Sequence, residues 1–290
     1  MGSLLQNTVF GKNKTKLFLD EVTDQSFYAF ALRKLSKRYK GNCIRVRRNS
    51  DNTEMNIGFF NNKIDTIQLL SFCGIHDGFV SIWYDQSGNE RNKIQTIWAN
   101  QPQIVNAGNI ILENGLPTLK FTTSSSMIQS DSTPIDELCV FYVASIKEAS
   151  INYYGIARHV PSSGYGFAIY CSYGLSFPSY VPYLNGNNYS NGFRLFNAPE
   201  YVPTSLIVRC FSTAGSSNLT DTVGTYNSEF WNTVDSEGNW GSYSVSGLNM
   251  GYYGASANMN FNEYIVFSTP LRDSILKLSN NSVNYYSIYN

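Results

Sequence analysis

From residue 78 onward the chain is written in short runs of Val, Ile, Phe, Tyr and Trp, broken by Asn, Gly, Ser and Pro about every eight to twelve residues. Runs that short cannot make helices of useful length, whereas they suit strands that fold back on one another in an antiparallel sandwich. The spacing predicts strands over 79–84, 103–105, 118–121, 138–146, 153–158, 166–172, 193–196, 205–212, 219–223, 247–252 and 261–267. Asn185-Gly186 and Glu237-Gly238-Asn239 supply the positive-φ positions that tight hairpin turns need. No repeat of 20 to 50 residues runs through the chain, which argues against a solenoid or propeller.

The first 77 residues are patterned differently. Phe27, Phe30, Ala31 and Leu35 fall at helical spacing, with Asp24 or Ser26 as N-cap and Gly41 as stop, so a helix is expected over 26–39. Residues 44–48 alternate apolar and basic, like a strand with one wet face. Asp65 offers an N-cap to Ile67, Leu69, Leu70 and Phe72, and Gly74 a C-cap, which predicts a second short helix. Near the end, Ser268-Thr269-Pro270 reads as a helix start, followed by Leu271, Ile275 and Leu278. The expected fold is therefore mainly β, a jelly-roll sandwich of two antiparallel sheets with N-terminal helices and a C-terminal helix. Residues 1–22 are expected to form an attachment arm and 23–290 the domain itself.

Composition narrows the function classes. The chain is 42% hydrophobic and 15% aromatic but only 14% charged, which excludes disorder. Its longest apolar runs, such as 138–146, reach about half of the roughly 20 residues a spanning helix needs, so no membrane span is expected. Met1-Gly2-Ser3 lacks the order of a secretory signal, and the chain reads as soluble. Net charge is zero, yet residues 12–48 hold eleven Lys/Arg against three acids. A basic face of that kind can meet phosphate, but a solvated face with ion pairs to the acidic remainder is the simpler expectation, and nucleic acid is not expected as a partner. Five scattered cysteines without a Cys-x-x-Cys pair suit a reducing compartment. With only His76 and His159 present, neither a transition metal nor any other cofactor is expected.

Several chemistries lack their residues. There is no Gly-x-Ser-x-Gly elbow, no phosphate-cradling Gly-x-x-x-x-Gly-Lys and no dinucleotide-binding glycine pattern. Glycoside hydrolysis needs two carboxylates and an aromatic cleft, and Glu229, Asp235 and Glu237 lie beside Trp231 and Trp240. Exposed rings flanked by Asn, Asp and Ser also suit sugar binding without chemistry, while both tryptophans would serve equally to close the end of a core. Trp83 and Trp98 are expected in the core. Asp77 and Asp85 are too few for calcium and are expected to bond turns.

Three segments carry a resemblance: 27–35 (Phe-Tyr-Ala-Phe-Ala-Leu-Arg-Lys-Leu), 44–54 (Ile-Arg-Val-Arg-Arg-Asn-Ser-Asp-Asn-Thr-Glu) and 78–88, which ends in Trp83, Tyr84, Asp85, Gln86, Ser87 and Gly88. Together they resemble the catalytic domain of the α-L-arabinofuranosidase B family, a concanavalin A-like jelly roll, and its relatives in bacteriophage tail and other virion proteins. The likeness continues through 99–108 and 114–121 and returns at Phe261-Asn262-Glu263 and Tyr285-Tyr286. The family's nucleophilic glutamate corresponds to the strand around 166–176, where this chain has no carboxylate, and its acid aspartate, counted without gaps, falls near Tyr252. The family's adjacent cysteine pair is absent, and Cys73 matches one half of another family disulfide whose partner position holds Gly78.

The resemblance and these departures together imply a non-catalytic virion surface protein, made in the host cytoplasm, that adheres to host or environmental glycans through Trp231, Trp240, Tyr173 and Tyr252. Its partners would be other virion proteins through the arm and further copies of itself, tentatively in a trimer. The Tyr84-Asp85-Gln86-Ser87-Gly88 motif is assigned a structural role in a turn. Two alternatives are a working glycosidase with relocated carboxylates among Glu229, Asp235 and Glu237, and an architectural virion protein whose aromatics are all core or interface.

Overall fold

The computed structural model describes residues 16–122, 124–129, 133–135, 139–148, 258–269, 271 and 273–288, together with the backbone of nine strand segments between 154 and 250. The chain is mainly β, built from antiparallel ladders with two short α-helices. In chain order the strands and helices that matter below are β1 (Ser26–Ala31), β2 (Ile44–Arg48), β3 (Glu54–Ile57), α1 (Thr66–Cys73), β4 (Gly78–Trp83), β5 (Lys93–Ile94), β6 (Gln103–Asn106), β7 (Leu119–Phe121) and β8 (Met127–Gln129). They continue as β9 (Cys139–Glu148), β10 (Tyr154–His159), β11 (Gly166–Ser172), β12 (Ser179–Asn185), β13 (Phe193–Arg194), β14 (Ile207–Ser212), β15 (Val223–Tyr226), β16 (Glu229–Trp231), β17 (Leu248–Met250), β18 (Asn258–Phe267) and α2 (Ile275–Tyr286).

One sheet is organised around β18. Its one edge pairs with β9, which continues through β14 and β15 to β16. Its other edge is shared end to end, with β1 along 263–267 and β7 along 259–261. The second sheet runs from β3 through β2 to β4, whose far edge is likewise shared by β5 and β6. From β5 it continues through β8 and β17 to β10, β11, β12 and β13. The two sheets face each other where Trp83 of β4 meets Phe30 of β1 at 5.8 Å and Phe261 of β18 at 6.4 Å between ring centroids. Trp83 is fully buried, as expected for a core residue.

The first sheet is covered on its outer face as well. Ala29, Ala31, Phe141, Ile265 and Phe267 point away from the sandwich and pack with Phe18 against Leu271, Ile275 and Leu278 at the start of α2. Alternate residues Tyr28, Phe30, Tyr264 and Val266 are also buried. With both faces covered, Ser26–Ala31 is buried at every position and carries no alternation. The expected helix over 26–39 is thus corrected to a strand, because a short apolar run buried on both sides cannot be told from a helix by periodicity.

Other local expectations stand. Asp65 Oδ1 accepts from Gln68 N at 2.9 Å to start α1, and Gly74, at φ 58°, ends it by donating to Leu70 O at 2.8 Å. The closing helix begins later than Ser268-Thr269-Pro270 suggested: Ser274 N donates to Leu271 O in a turn, and the helix runs from Ile275. Within the expected arm, Phe18–Glu21 form a 3-10 turn whose Phe18 is fully buried; residues 1–15 lie outside the described residues.

Candidate functional site

The 84–89 segment lies beside the edge of β1 left open next to β18, and its side chains take the place of a neighbouring strand. Asp85 Oδ1 accepts from Ala29 N at 2.8 Å and Ser87 N at 2.9 Å, while Oδ2 accepts from Ser87 Oγ at 2.6 Å and Arg91 N at 3.1 Å. Gln86 N donates to Ala29 O, its Nε2 donates to Ala31 O and Arg33 O, and its Oε1 accepts from Leu35 N. Asn89 Nδ2 reaches Ser26 O and Phe27 O. A row of backbone groups that would otherwise be orphaned is satisfied by the side chains of Asp85, Gln86 and Asn89. Asp85 and Gln86 are almost fully buried in doing so.

This segment borders a cleft of about 1200 Å³, whose other walls are the 16–26 segment and the turn at 36–42. Asp20 stands at that junction, accepting from Ser36 Oγ at 2.8 Å and Lys37 N at 3.2 Å. Two tyrosines line the cleft with their hydroxyls engaged: Tyr39 donates to Asn42 O at 2.7 Å and Tyr84 to Asn56 Oδ1 at 2.8 Å. Tyr39 also packs edge-on to Phe59, and burial pushes its phenol well above the usual range. Gly41 lies under that ring; a Cβ there would sit 2.5 Å from Tyr39 Oη, so a larger residue would require the ring to shift. Ser26, which lines the cleft at 3% exposure, has a buried Oγ with no hydrogen-bond partner among the described residues.

Two further charges are buried nearby. The Arg33 guanidinium forks onto the Glu263 carboxylate, donates to Asn281 Oδ1 at 2.8 Å and Ser282 Oγ at 3.0 Å, and lies 4.4 Å from the centroid of the Tyr285 ring. This set ties β1 and β18 to α2 and leaves no room for a ligand. Lys93 lies inside the sandwich, its Nζ 4.9 Å from the Phe30 ring centroid and 5.8 Å from that of Tyr264, and burial holds its pKa well below the lysine range. The basic strand β2 is largely spoken for: Arg48 pairs with Asp51, Arg45 lies 3.9 Å from Glu54, and Arg47 donates to Gln101 Oε1 and Asn52 Oδ1. Asp77 Oδ1 accepts from Ala107 N at 2.7 Å.

Of the residues singled out by sequence, Glu229 and Trp231 are placed at the two ends of β16, paired with Tyr226 and Gly224, and their side chains are outside the description. Tyr173, Trp240, Tyr252, Asp235 and Glu237 lie outside the described residues. Trp98 departs from expectation: it is 57% exposed, on a 3-10 turn, with the buried Arg47 guanidinium 5.3 Å from its ring centroid. There the ring offers its face to the guanidinium, a contact that gives an exposed tryptophan a partner outside the core. The lining of the cleft by Ser26, Tyr39, Asp24 and Glu90 was not visible in the sequence, since it is assembled from three segments up to 66 residues apart.

No family model matches the chain, and no curated protein matches it. Among solved structures, an arabinofuranosidase complexed with arabinofuranosyl-α-1,2-xylobiose is similar with a TM-score of 0.64 at 16% identity, over 92% of this chain and 64% of that one. A mutant GH54 α-L-arabinofuranosidase soaked with 4-nitrophenyl α-L-arabinofuranoside gives 0.62 at 15%, over 91% of this chain and 62% of that one. A GH54 α-L-arabinofuranosidase soaked with a cyclic sulfate inhibitor gives 0.61 at 16%, again over 91% and 62%. The chain thus spans somewhat under two thirds of the length of these neighbours, and shares their fold.

These neighbours overturn the expectation of a non-catalytic virion surface protein. All three are glycoside hydrolases and none is a virion protein. The expectation that the chain is no enzyme rested on a nucleophile missing from the strand matched at 166–176 and an acid missing near Tyr252 by a count without gaps, in a stretch where strand rhythm alone guided the alignment. A sandwich can hold its acids on different strands and keep its shape, so the count was a weak ground for excluding chemistry.

Proposed function

We propose that the chain carries a glycoside hydrolase domain that removes α-L-arabinofuranosyl groups from a polysaccharide. The observation that supports this reading is the likeness of 91–92% of the chain to three arabinofuranosidase structures, two of them holding an arabinofuranoside. Cleavage needs a proton donor and either a nucleophile about 5 to 5.5 Å away or a base about 6.5 to 9.5 Å away. Strand β11, Gly166–Ser172, has no carboxylate to offer. Glu229 on β16, with Asp235 and Glu237 following it in sequence, is where this reading places the two groups.

Incubation with wheat arabinoxylan and chromatography of the products tests it. Free arabinose is the expected product. At least one of Glu229→Gln, Asp235→Asn and Glu237→Gln should lower kcat by about a hundredfold or more, the usual cost of removing a positioned acid or base. Arabinose release that survives all three substitutions would remove these residues from the site, and no release at all from the unaltered chain would overturn the function.

A further inference from the structure

We propose that the cleft between the 16–26 segment, the 36–42 turn and the 84–92 loop is a binding subsite for an uncharged oligosaccharide, the undecorated β-xylan backbone. The choice of xylan rests on the reading above; the location rests on the cleft alone. A volume of about 1200 Å³ exceeds the roughly 300 to 1,000 Å³ of ordinary small-molecule pockets, so it suits a chain of several rings.

Its electrostatics select against charged ligands. Lys16, Lys37, Arg38 and Lys40 line it on one side of the balance. Asp20, Asp24, Asp85 and Glu90 line it on the other, so the formal charge cancels. Asp20 and Asp85 are already occupied by donors from the chain itself, as described above, whereas Asp24 and Glu90 are exposed and present acceptors at the rim. A mixture of cationic donors and carboxylate acceptors without a net field suits hydroxyl groups, which donate and accept in turn.

One further observation points to a ligand. Tyr39 and Tyr84 have their hydroxyls tied back to Asn42 and Asn56, so their rings are held in place before anything binds. Fixed rings stack on the C–H faces of sugars at little entropic cost.

Calorimetric titration of the full chain with xylohexaose is the test, because an unbranched xylo-oligosaccharide has no arabinosyl bond for the proposed hydrolase to cut. The expected results are saturable binding and a Kd raised about tenfold by Thr23→Trp, which fills the mouth from an exposed position, at unchanged melting temperature. Hexagalacturonate should bind at least about tenfold more weakly. No binding of xylohexaose, binding indifferent to Thr23→Trp, or tighter binding of hexagalacturonate would overturn the subsite. Arabinose release is scored separately. Its absence alongside binding that depends on Thr23 would sink the hydrolase reading and leave the subsite standing.

Discussion

Asp85 shows how one short side chain holds a large part of this molecule. It accepts four hydrogen bonds from a strand, a turn and a loop while almost fully buried, so removing it orphans several donors at once, the buried Ala29 N among them. Asp85→Ala is expected to cost about 3 kcal/mol or more in urea unfolding; a loss below about 1 kcal/mol would mean that the 84–89 segment does not hold β1. Cys73 and Gly78 offer the opposite experiment. An ideal Cβ on Gly78 would lie 2.8 Å from Cys73 Sγ, inside van der Waals contact and within reach of an S–S bond of about 2.04 Å. Gly78→Cys should therefore form a disulfide spontaneously in air and gain about 2 kcal/mol, lost again with dithiothreitol. A free-thiol count unchanged by the added cysteine would contradict the close approach. Burial pushes the Cys73 thiol itself up to about 11, so it reacts as a disulfide partner only with an equally placed neighbour or an added oxidant of the thiol.

At the scale of elements, the fold depends on α2 being pinned to the outer face of the β18 sheet through a buried ion pair. Arg33→Met leaves Glu263 uncompensated among Tyr285, Tyr286 and Ser282, and is expected to cost about 3 to 5 kcal/mol. The double variant Arg33→Met, Glu263→Gln should recover part of that loss in a thermodynamic cycle; strictly additive losses would contradict the pairing. Most strands were legible in the sequence because each presents a short apolar run bounded by turn residues, as at Cys139–Glu148 and Asn258–Phe267. Those missed have physical reasons. Ser179–Asn185 carries Pro182 in its middle, which argues against a strand, yet it pairs with Ile169 in register. Glu54–Ile57 is exposed at three of its four positions and has little apolar signal. Asp65 and Gly74 were readable because capping is local, whereas the bonds from Gln86 and Asn89 to β1 join residues more than fifty positions apart and leave no trace in local pattern.

For the whole molecule, burial has shaped the response to alkali. Burial raises Tyr39, Tyr264, Tyr285 and Tyr286 above the unfolded value of about 10, Tyr285 to about 12. The native state then binds those protons more tightly than the unfolded chain does, so this contribution is complete below about pH 10 and is lost as pH rises toward the folded values. Lys93 acts with the opposite sign, since its depressed pKa makes stability rise with pH until the unfolded lysine also loses its proton, near 10.5. Above that point the losses from the raised tyrosines, and from the Cys43 and Cys73 thiols that burial also raises, remain. The urea midpoint should therefore fall between about pH 10 and 12, and a flat profile there would show that these phenols titrate as if exposed.

The central proposal, that this chain breaks an arabinofuranosyl bond, is supported by the shared sandwich fold and draws on the acids of the 229–237 segment. The most direct measurement is the rate of 4-nitrophenol release from 4-nitrophenyl α-L-arabinofuranoside by the purified chain, with the Glu229→Gln variant alongside. The account predicts saturable turnover that the variant lowers by about a hundredfold or more. Release no faster than in buffer alone would contradict it.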